Sequence, residues 1–277
     1  MITSTTSGVW ELDDVFAKAN AQRWIPDGAV LYSLGYNNYG QLGQNNVTYR
    51  SSPIQVPGTT WNSVSTSKRV SLATKTDGTL WAWGSDNYGQ LGQNNRVPRS
   101  SPVQIPGTTW LNITSNNYNS YATKTDGTLW SWGYNRYGAL GQNDRVSRSS
   151  PVQIPGNSWS LLDNGSNEFA LATKTDGTLW SWGLNSYGQL GQNDRTYYSS
   201  PVQIPGTTWR SVSSGNVQSL AIKTDGTLWA WGRNNSGQLG QINLTQYSSP
   251  VQIPGTTWSF ISSGAYHSLS RKTDVLS

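Results

Sequence analysis

The stretch Lys75-Thr76-Asp77-Gly78-Thr79-Leu80-Trp81-Ala82-Trp83-Gly84 contains a turn signal followed by alternating side chains. Asp-Gly is one of the strongest two-residue hairpin signals, because a type I′ turn requires a positive φ at both central positions. After the turn, alternation places Leu80 and Ala82 on one face of a strand and both tryptophans on the other. The stretch therefore predicts a β-hairpin whose second strand has one aromatic face.

The same stretch recurs along the chain. Leu-Trp-Ala/Ser-Trp-Gly begins at residues 80, 129, 179 and 228, and a degenerate first copy begins at 31, so successive leucines are 49, 49, 50 and 49 residues apart. Each copy continues with a glycine-punctuated loop, such as 87–94, and a proline-bracketed segment, such as 101–107, that suits an edge strand. With the strand that starts near residue 109, each repeat has about four short strands.

Four strands per repeat of about 50 residues is typical of a β-propeller blade. The repeats lack a 3.6-residue periodicity, which excludes a helical solenoid and leaves a linear β-solenoid as the structural alternative. The last copy reaches Asp274, just before its hairpin turn, and the first begins at Pro26, beside the same turn. We therefore expect an all-β, five-bladed propeller over 26–277, closed by pairing 29–35 with 258–273 in one blade, which removes two free sheet edges.

Thirteen of the fifteen tryptophans lie in the repeats. The first interpretation is that they fill the space between blades, where a buried tryptophan removes about 150–250 Å² from water. The second is that some of them line a ligand pocket.

Composition excludes several classes of protein. Only 12% of residues are charged, and the net charge of +5 contains no run of basic residues, so no nucleic-acid partner is expected. The absence of cysteine excludes disulfides, zinc–thiolate sites and thiol catalysis. No apolar stretch approaches the ~18 residues of a membrane span and no secretory signal is visible, so no membrane insertion is expected.

Catalysis needs a base, a nucleophile or a metal cluster in convergent geometry. His267 is the single histidine, so a His-based metal cluster is excluded and a catalytic triad is disfavoured. We expect no enzyme activity, no catalytic residue, no metal and no cofactor.

The five copies differ from one another in two places, and rigid scaffolds carry function on such variable segments. Neutral drift on solvated loops is the alternative, but tyrosine, asparagine and arginine favour recognition surfaces. The first candidate binding surface is the turn before the Ser-Leu-Ala strand, with Lys68, Arg69, Asn117, Tyr118, Asn119, Glu168, Phe169, Val217, Gln218, Tyr266 and His267. The second candidate face is the loop after Trp-Gly, with Tyr36, Arg50, Arg96, Arg99, Tyr134, Arg145, Arg148, Arg195, Tyr198 and Arg233.

Residues 1–25 form a separate N-terminal extension. Leu12, Val15, Phe16 and Ala19 stand at helical spacing, and acidic residues around them suit a helix N-terminus. With Trp10, they predict a short helix that plugs one face of the propeller or attaches the protein to a partner.

The repeats resemble the regulator of chromosome condensation family over about residues 26–274. The resemblance is carried by Leu-Trp-Ala-Trp-Gly, by Gly-Gln-Leu-Gly at 40–43, 89–92, 188–191 and 237–240 with its variant at 138–141, and by Thr-Asp-Gly. It implies a propeller, and its founding members have seven blades and act as guanine-nucleotide exchange factors or chromatin binders. Family repeats often carry a histidine on a partner-binding face, and here only His267 keeps it; the equivalent residues are Val70, Asn119, Phe169 and Gln218.

The segment that starts Gly8-Val9-Trp10-Glu11-Leu12 and continues to Val15 and Phe16 also resembles a stretch of tailed-phage virion proteins, especially fibre and appendage proteins. It implies a virion component that contacts a host-surface receptor or a neighbouring virion protein, and hence a virion localisation. A glycan-binding propeller with one pocket per blade is the alternative, with an extracellular location. An intracellular scaffold or exchange factor in the cytoplasm is the third hypothesis.

Overall fold

A computed structural model describes residues 29–165 and 168–273, which form twenty strands and no helix. In chain order the strands are β1 (Tyr32–Gly35), β2 (Arg50–Gln55), β3 (Trp61–Thr66), β4 (Val70–Lys75), β5 (Leu80–Gly84), β6 (Arg99–Ile105), β7 (Trp110–Ser115), β8 (Asn119–Lys124), β9 (Leu129–Gly133), β10 (Arg148–Ile154), β11 (Trp159–Gly165), β12 (Phe169–Lys174), β13 (Leu179–Gly183), β14 (Tyr198–Ile204), β15 (Trp209–Ser214), β16 (Gln218–Lys223), β17 (Leu228–Gly232), β18 (Tyr247–Ile253), β19 (Trp258–Ser263) and β20 (Ser268–Lys272). The predicted N-terminal helix and the boundary between 1–25 and 26–277 lie outside these residues and stay predictions.

The strands form antiparallel sheets in a propeller arrangement, as predicted. Four sheets have four strands each, and we call them blade I (β3–β6), blade II (β7–β10), blade III (β11–β14) and blade IV (β15–β18). The N-terminal half-blade is β1–β2 and the C-terminal half-blade is β19–β20. The first strands of successive blades contact one another, as Ser115 N donating to Ser65 Oγ at 3.0 Å illustrates, so these strands lie innermost. The proline-containing strand lies outermost, which confirms the edge prediction.

The hairpin predicted at Asp-Gly is present, but its turn differs from the prediction. Gly78 has a φ of 77°, whereas Asp77 is not in the positive-φ region, so the turn is not type I′. Gly78 N–H donates to Lys75 O at 3.0 Å, which is a type I-like turn followed by a left-handed glycine. Asp77 Oδ1 accepts the Thr79 N–H at 2.9 Å, and this bond favours the longer turn.

Neighbouring blades are joined by the second tryptophan of each Leu-Trp-x-Trp-Gly copy. Trp132 Nε1 in blade II donates to the Gln90 carbonyl in the loop of blade I at 2.9 Å, and Ser120 Oγ donates to the same oxygen at 2.9 Å. A Cβ on Gly92 would lie 3.0 Å from Trp132 Nε1, so the backbone approaches the indole too closely for another residue. The indole–carbonyl bond recurs as Trp83 to Gln41 (2.8 Å), Trp182 to Ala139 (2.7 Å) and Trp231 to Gln189 (2.8 Å).

Each of these four tryptophans is at most 2% exposed, which confirms that they fill the space between blades. Trp132 packs against Leu72, Leu80 and Ala82, which project from the facing side of blade I. The alternation that separates Leu80 and Ala82 from the tryptophans therefore gives each blade one aliphatic and one aromatic face, and the two kinds of face meet at every junction.

The predicted pairing of 29–35 with 258–273 is not formed among the described residues. β1 pairs only with β2, and β19 only with β20, so the terminal segments are two separate half-blades and not one shared blade. Leu34 is 59% and Leu269 is 65% exposed, whereas the equivalent Trp83 and Leu72 in blade I are 2% and 0% exposed. β19 packs on β15 and β16, so contacts with blade IV hold the C-terminal half-blade in place.

Candidate functional site

Both variable segments of the repeat lie at the same end of the blades. In an up-and-down sheet, the turn between the first and second strands and the loop between the third and fourth strands emerge on one side. Their backbones are hydrogen-bonded, since Ser85 N donates to Arg69 O at 2.9 Å and Tyr134 N donates to Tyr118 O at 2.9 Å. We call this side the loop face and define it by residues 36–50, 67–69, 85–99, 116–119, 134–148, 168–169, 184–198, 215–218, 233–247 and 264–267. The two surfaces predicted from sequence are thus one surface.

Several residues of the first candidate surface are buried and do not offer a contact. Asn119, Phe169 and Gln218 are 0% exposed, Val217 is 1% and Glu168 is 7%. Variation between repeats at these positions therefore does not mark an exposed surface. Lys68, Tyr266 and His267 are exposed, and Arg69, Asn117 and Tyr118 are half-buried.

Residues of the second candidate set lie at the surface. Arg96, Arg145 and Arg195 are exposed at the loop tips, as is Tyr36. Half-buried positions at the ends of the loops are occupied by Arg50, Arg99, Tyr134, Arg148, Tyr198 and Arg233. Arg148 forms an ion pair with Asp144 at 2.5 Å, and Tyr198 donates to Asp194 Oδ2 at 2.7 Å.

A recurring tyrosine links the two variable segments across blade junctions. Tyr88 from blade I lies 4.5 Å from Tyr134 and 5.8 Å from Tyr118 of blade II, measured between ring centroids. Arg69 lies over Tyr39 at 5.0 Å, and Arg233 lies 5.1 Å from Tyr187. These tyrosines are not among the candidate residues from sequence, because the same residue stands at this position in four of the five copies and only variable positions are candidates.

The loops are held rigid by one buried polar side chain each. Asn37 Oδ1 accepts the Leu42 N–H at 2.9 Å, while its amide nitrogen donates to Asn46 O at 2.9 Å across the loop. In later copies the equivalent leucine N–H donates in the same way to the side-chain oxygen of Asn135, Asn185 or Asn234. In blade I the residue is Asp86, and burial raises its pKa to about 6. The variable residues are therefore displayed on a preorganised frame.

The positive charge of the chain is concentrated on the loop face. Ten cationic side chains belong to it against four acids. The cations are Arg50, Lys68, Arg69, Arg96, Arg99, Arg136, Arg145, Arg148, Arg195 and Arg233, and the acids are Asp86, Asp144, Glu168 and Asp194. At the opposite end of blades I–IV, each turn aspartate has a lysine two residues earlier in the sequence. The positive and negative charges of these turns are therefore equal in number. A surface with this excess attracts anionic partners.

Glu168 makes blade III different from its neighbours. Its φ is 60°, its Oε2 has no partner among the described residues, and burial raises its pKa to about 7, with Arg136 opposing the shift. Next to it, Ala139 replaces the glutamine of Gly-Gln-Leu-Gly, and Tyr121 OH donates to the Ala139 carbonyl at 2.5 Å. The alanine side chain is smaller than that of glutamine and leaves room for the Tyr121 phenol. The Ala139 carbonyl still accepts the indole N–H of Trp182.

Residues 29–165 and 168–273 contain no group of three His, Cys, Asp or Glu side chains that could hold a metal ion. Within the same ranges, no helix is long and apolar enough to cross a membrane. His267 is exposed on the loop face and accepts the Gly264 N–H at its carbonyl, 2.9 Å away. The expectations of no metal, cofactor or catalytic residue stay predictions.

Comparison with known proteins identifies one family and several solved structures with a similar fold. The sequence profile of the RCC1-like domain matches residues 7–270, and no curated protein sequence matches. Human WBSCR16 has a similar structure, with a TM-score of 0.75 and 22% identity over 88% of this chain and 67% of that one. Prp20p from Saccharomyces cerevisiae, described with its binding to Gsp1p and histones, gives 0.76 and 20% over 90% and 66%.

Yeast RCC1 (Prp20) in complex with Kap60 gives a TM-score of 0.74 and 21% identity over 87% of this chain and 63% of the other. The chain therefore spans about two thirds of the length of these proteins. At this level of identity the likeness concerns the fold, and the profile match concerns the family.

The raised pKa of Glu168 predicts a pH dependence of stability. The folded state holds this proton more tightly than the unfolded state, in which the pKa is near its usual value of 4.5. The contribution of Glu168 to the free energy of unfolding is therefore fully present below about pH 4.5, and it is lost as the pH rises towards 7. We expect Glu168→Gln to flatten this part of the curve and to stabilise the protein at pH 8, measured by urea unfolding across the pH range.

Asp86 and Asp163, whose pKa values are also raised by burial, leave some pH dependence in that variant. Asp194→Asn, a loop change at a half-buried position, is the control. An unchanged pH profile in Glu168→Gln would show that the carboxyl is solvated.

Proposed function

Because the chain belongs to the RCC1-like domain family, we propose that it is a non-enzymatic binding scaffold whose loop face recognises an acidic surface of a partner protein. The observation that carries this proposal is the convergence of both variable segments, with their cationic excess, on one side of the blades. A rigid frame with variable arginines and tyrosines suits recognition, since these residues are enriched at protein interfaces.

The structural relatives support a protein partner in general terms. Prp20 is described in complex with Kap60 and as binding Gsp1p and histones. The matched region covers 63% and 66% of those two chains, so their partners are not assigned to this protein.

A role in nucleotide exchange has less support. At four of the five positions where family repeats often carry a histidine, this chain has Val70, Asn119, Phe169 and Gln218, all 0% exposed. Stimulated nucleotide release from a small GTPase would restore the exchange hypothesis.

The virion role and virion localisation rest on about a dozen N-terminal residues around 8–16, outside the described part of the chain. They remain proposals from sequence, and mass spectrometry of purified particles tests them.

We also propose that the two half-blades complete one another in the closed protein. A groove of about 730 Å³ beside β1 is lined by Leu31, Leu34, Val56 and Trp83. It lies where blades I–IV have their inner two strands, and β19–β20 corresponds to those strands in the repeat. Since Leu72 pairs with Ala82 in blade I, Leu269 would pair with Ser33.

The loop-face proposal predicts that charge position matters more than net charge. Arg96→Ala/Arg145→Ala/Arg195→Ala removes three exposed charges from the loop face. Thr76→Glu/Thr125→Glu/Thr175→Glu changes the net charge equally at the opposite end, where these threonines are exposed. With fluorescent poly-L-glutamate as the probe, we expect the first variant to bind about tenfold more weakly at low salt, and the second to bind nearly as the parent does.

Equal weakening in both variants would mean that the probe responds to net charge, and the loop face would lose its special status. Circular dichroism and thermal melting confirm that both variants are folded.

The closure proposal is testable because the chain has no cysteine. Ser33→Cys/Leu269→Cys places two thiols at directly opposed positions of the completed blade, within disulfide range. We expect mild oxidation to give an intrachain disulfide, seen as faster migration on a non-reducing gel. Ser33→Cys/Arg271→Cys, two residues out of register, is the matched control and should stay reduced.

Disulfide-linked dimers would show that a second copy completes the blade. If Ser33→Cys/Leu269→Cys also stayed reduced, as the control should, the two half-blades would not be paired and closure would be contradicted.

A further inference from the structure

A cleft separates the loop of blade III from the sheet of blade IV, and its blade IV residues lie outside the loop face. Its volume is about 310 Å³, and its walls include Asn193 from the loop and Trp209, Lys223, Trp229 and Ser249 from blade IV. The volume is at the lower end of the range for small-ligand sites. It suits one sugar ring rather than a peptide.

The cleft contains a lysine that forms no direct ion pair among the described residues, although the turn residue Asp225 lies two residues further along the chain. Lys223 Nζ lies 4.7 Å from the ring centroids of both Trp209 and Trp229. Lys223 Nζ makes no hydrogen bond to a described residue. It makes no ion pair among them either, since the one ion pair there joins Arg148 and Asp144. Its N–H donors are therefore available to an anion, and the indoles limit its hydration.

Two further groups of the cleft offer donors, whereas Gln192, whose amide nitrogen donates to Ser181 Oγ at 3.1 Å, leaves its side-chain oxygen as an acceptor. Asn193 Oδ1 accepts a bond from Ser249 Oγ at 3.1 Å, which orients the amide, and the amide nitrogen makes no bond to a described residue. The Trp209 side chain is 4% exposed, and its indole nitrogen has no partner among the described residues. A ligand that fits this cleft is rich in acceptors.

The aromatic wall is fixed before any ligand arrives. Trp229 is half-buried, its Nε1 donates to Thr227 Oγ1 at 2.9 Å, and Thr227 in turn donates to Asp225 Oδ1 at 2.7 Å. A fixed indole beside a cation and an amide offers apolar contact to the C–H groups of a sugar and hydrogen bonds to its carboxylate.

The same set of residues recurs at every complete junction. The lysine lies 4.4–4.9 Å from both tryptophans in each of the other three cases. The equivalent sets are Asn45, Trp61, Lys75 and Trp81; Asn94, Trp110, Lys124 and Trp130; and Asn143, Trp159, Lys174 and Trp180. At the fifth repeat Ile242 replaces the asparagine, and Lys272 lies over Trp258 alone.

We propose that the four complete clefts are binding sites for acidic sugar units, such as the hexuronates of an anionic polysaccharide. Four equivalent sites on one rigid frame would bind a polymer with avidity even if each were weak. Apart from its asparagine, each site lies outside the loop face, and the proposal does not depend on the protein-binding function proposed for that face.

The test is a titration of the full chain with digalacturonate, followed through the indole N–H signals in ¹H–¹⁵N NMR spectra. We expect the signals of Trp81, Trp130, Trp180 and Trp229 to move and that of Trp258 to stay. A neutral galactose disaccharide of the same linkage should cause shifts at least about tenfold smaller, because it lacks the carboxylate.

Lys223→Met keeps the methylene stem against the rings and removes the charge. It should abolish the shift of Trp229 and leave the other three, which also serve as an internal check that the variant is folded. Lys272→Met, at the incomplete fifth repeat, is the matched control and should leave all four shifts.

Three results would overturn the proposal. They are an absence of shifts at about 10 mM digalacturonate, equal shifts with the neutral sugar, and loss of the shifts in Arg96→Ala/Arg145→Ala/Arg195→Ala. The last result would move the sugar acid to the loop face.

Discussion

The hydrogen bond from a buried indole to a main-chain carbonyl of the preceding loop is the contact on which the propeller depends. Trp132 and Gln90 form it between blades I and II, and it recurs at the other two junctions of complete blades and between the N-terminal half-blade and blade I. Each bond contributes about 1 kcal/mol net, but leaving a buried indole N–H unpaired would cost more. Because the acceptor belongs to a loop and the donor to the next sheet, the bond fixes the blade angle and the loop position together.

The loop position decides what the molecule presents to a partner. Asn37 and its equivalents hold each loop internally, and the indole holds it against the next blade. Tyr88 then packs on Tyr118 and Tyr134 across the junction. The residues that differ between copies stand on a frame that differs little, so recognition can change from blade to blade without changing the fold. The lysine–tryptophan clefts follow from the same spacing of loop and sheet.

Much of the fold could be predicted from sequence, because turn and strand signals are local. Asp77-Gly78 located the hairpin, and the alternation of Leu80, Trp81, Ala82 and Trp83 assigned the two faces. The turn type was missed because the Asp77 carboxylate bonds to Thr79, a contact that competes with the type I′ turn. The acceptor of the indole bond was hidden because the sequence shows a recurring glutamine side chain, whereas Ala139 reveals that the carbonyl is what each copy needs.

The candidate site was predictable only in part. The two variable segments were treated as separate faces, although strand parity alone puts them on the same side of an up-and-down sheet. Variation between copies does not imply exposure, since Asn119, Phe169 and Gln218 differ between copies and are fully buried. The clefts are not predictable in this way, because their residues are the same in four copies and sequence variation between copies does not mark them.

Hydrogen exchange of the tryptophan side chains tests the indole–carbonyl contact most directly. In ²H₂O, the indole N–H groups of Trp83, Trp132, Trp182 and Trp231 should exchange at least about a hundredfold more slowly than those of Trp81, Trp130, Trp180 and Trp229, because they open only with the blade junction. Equal rates in the two sets would contradict the account, since they would mean that the junctions open without breaking a buried bond.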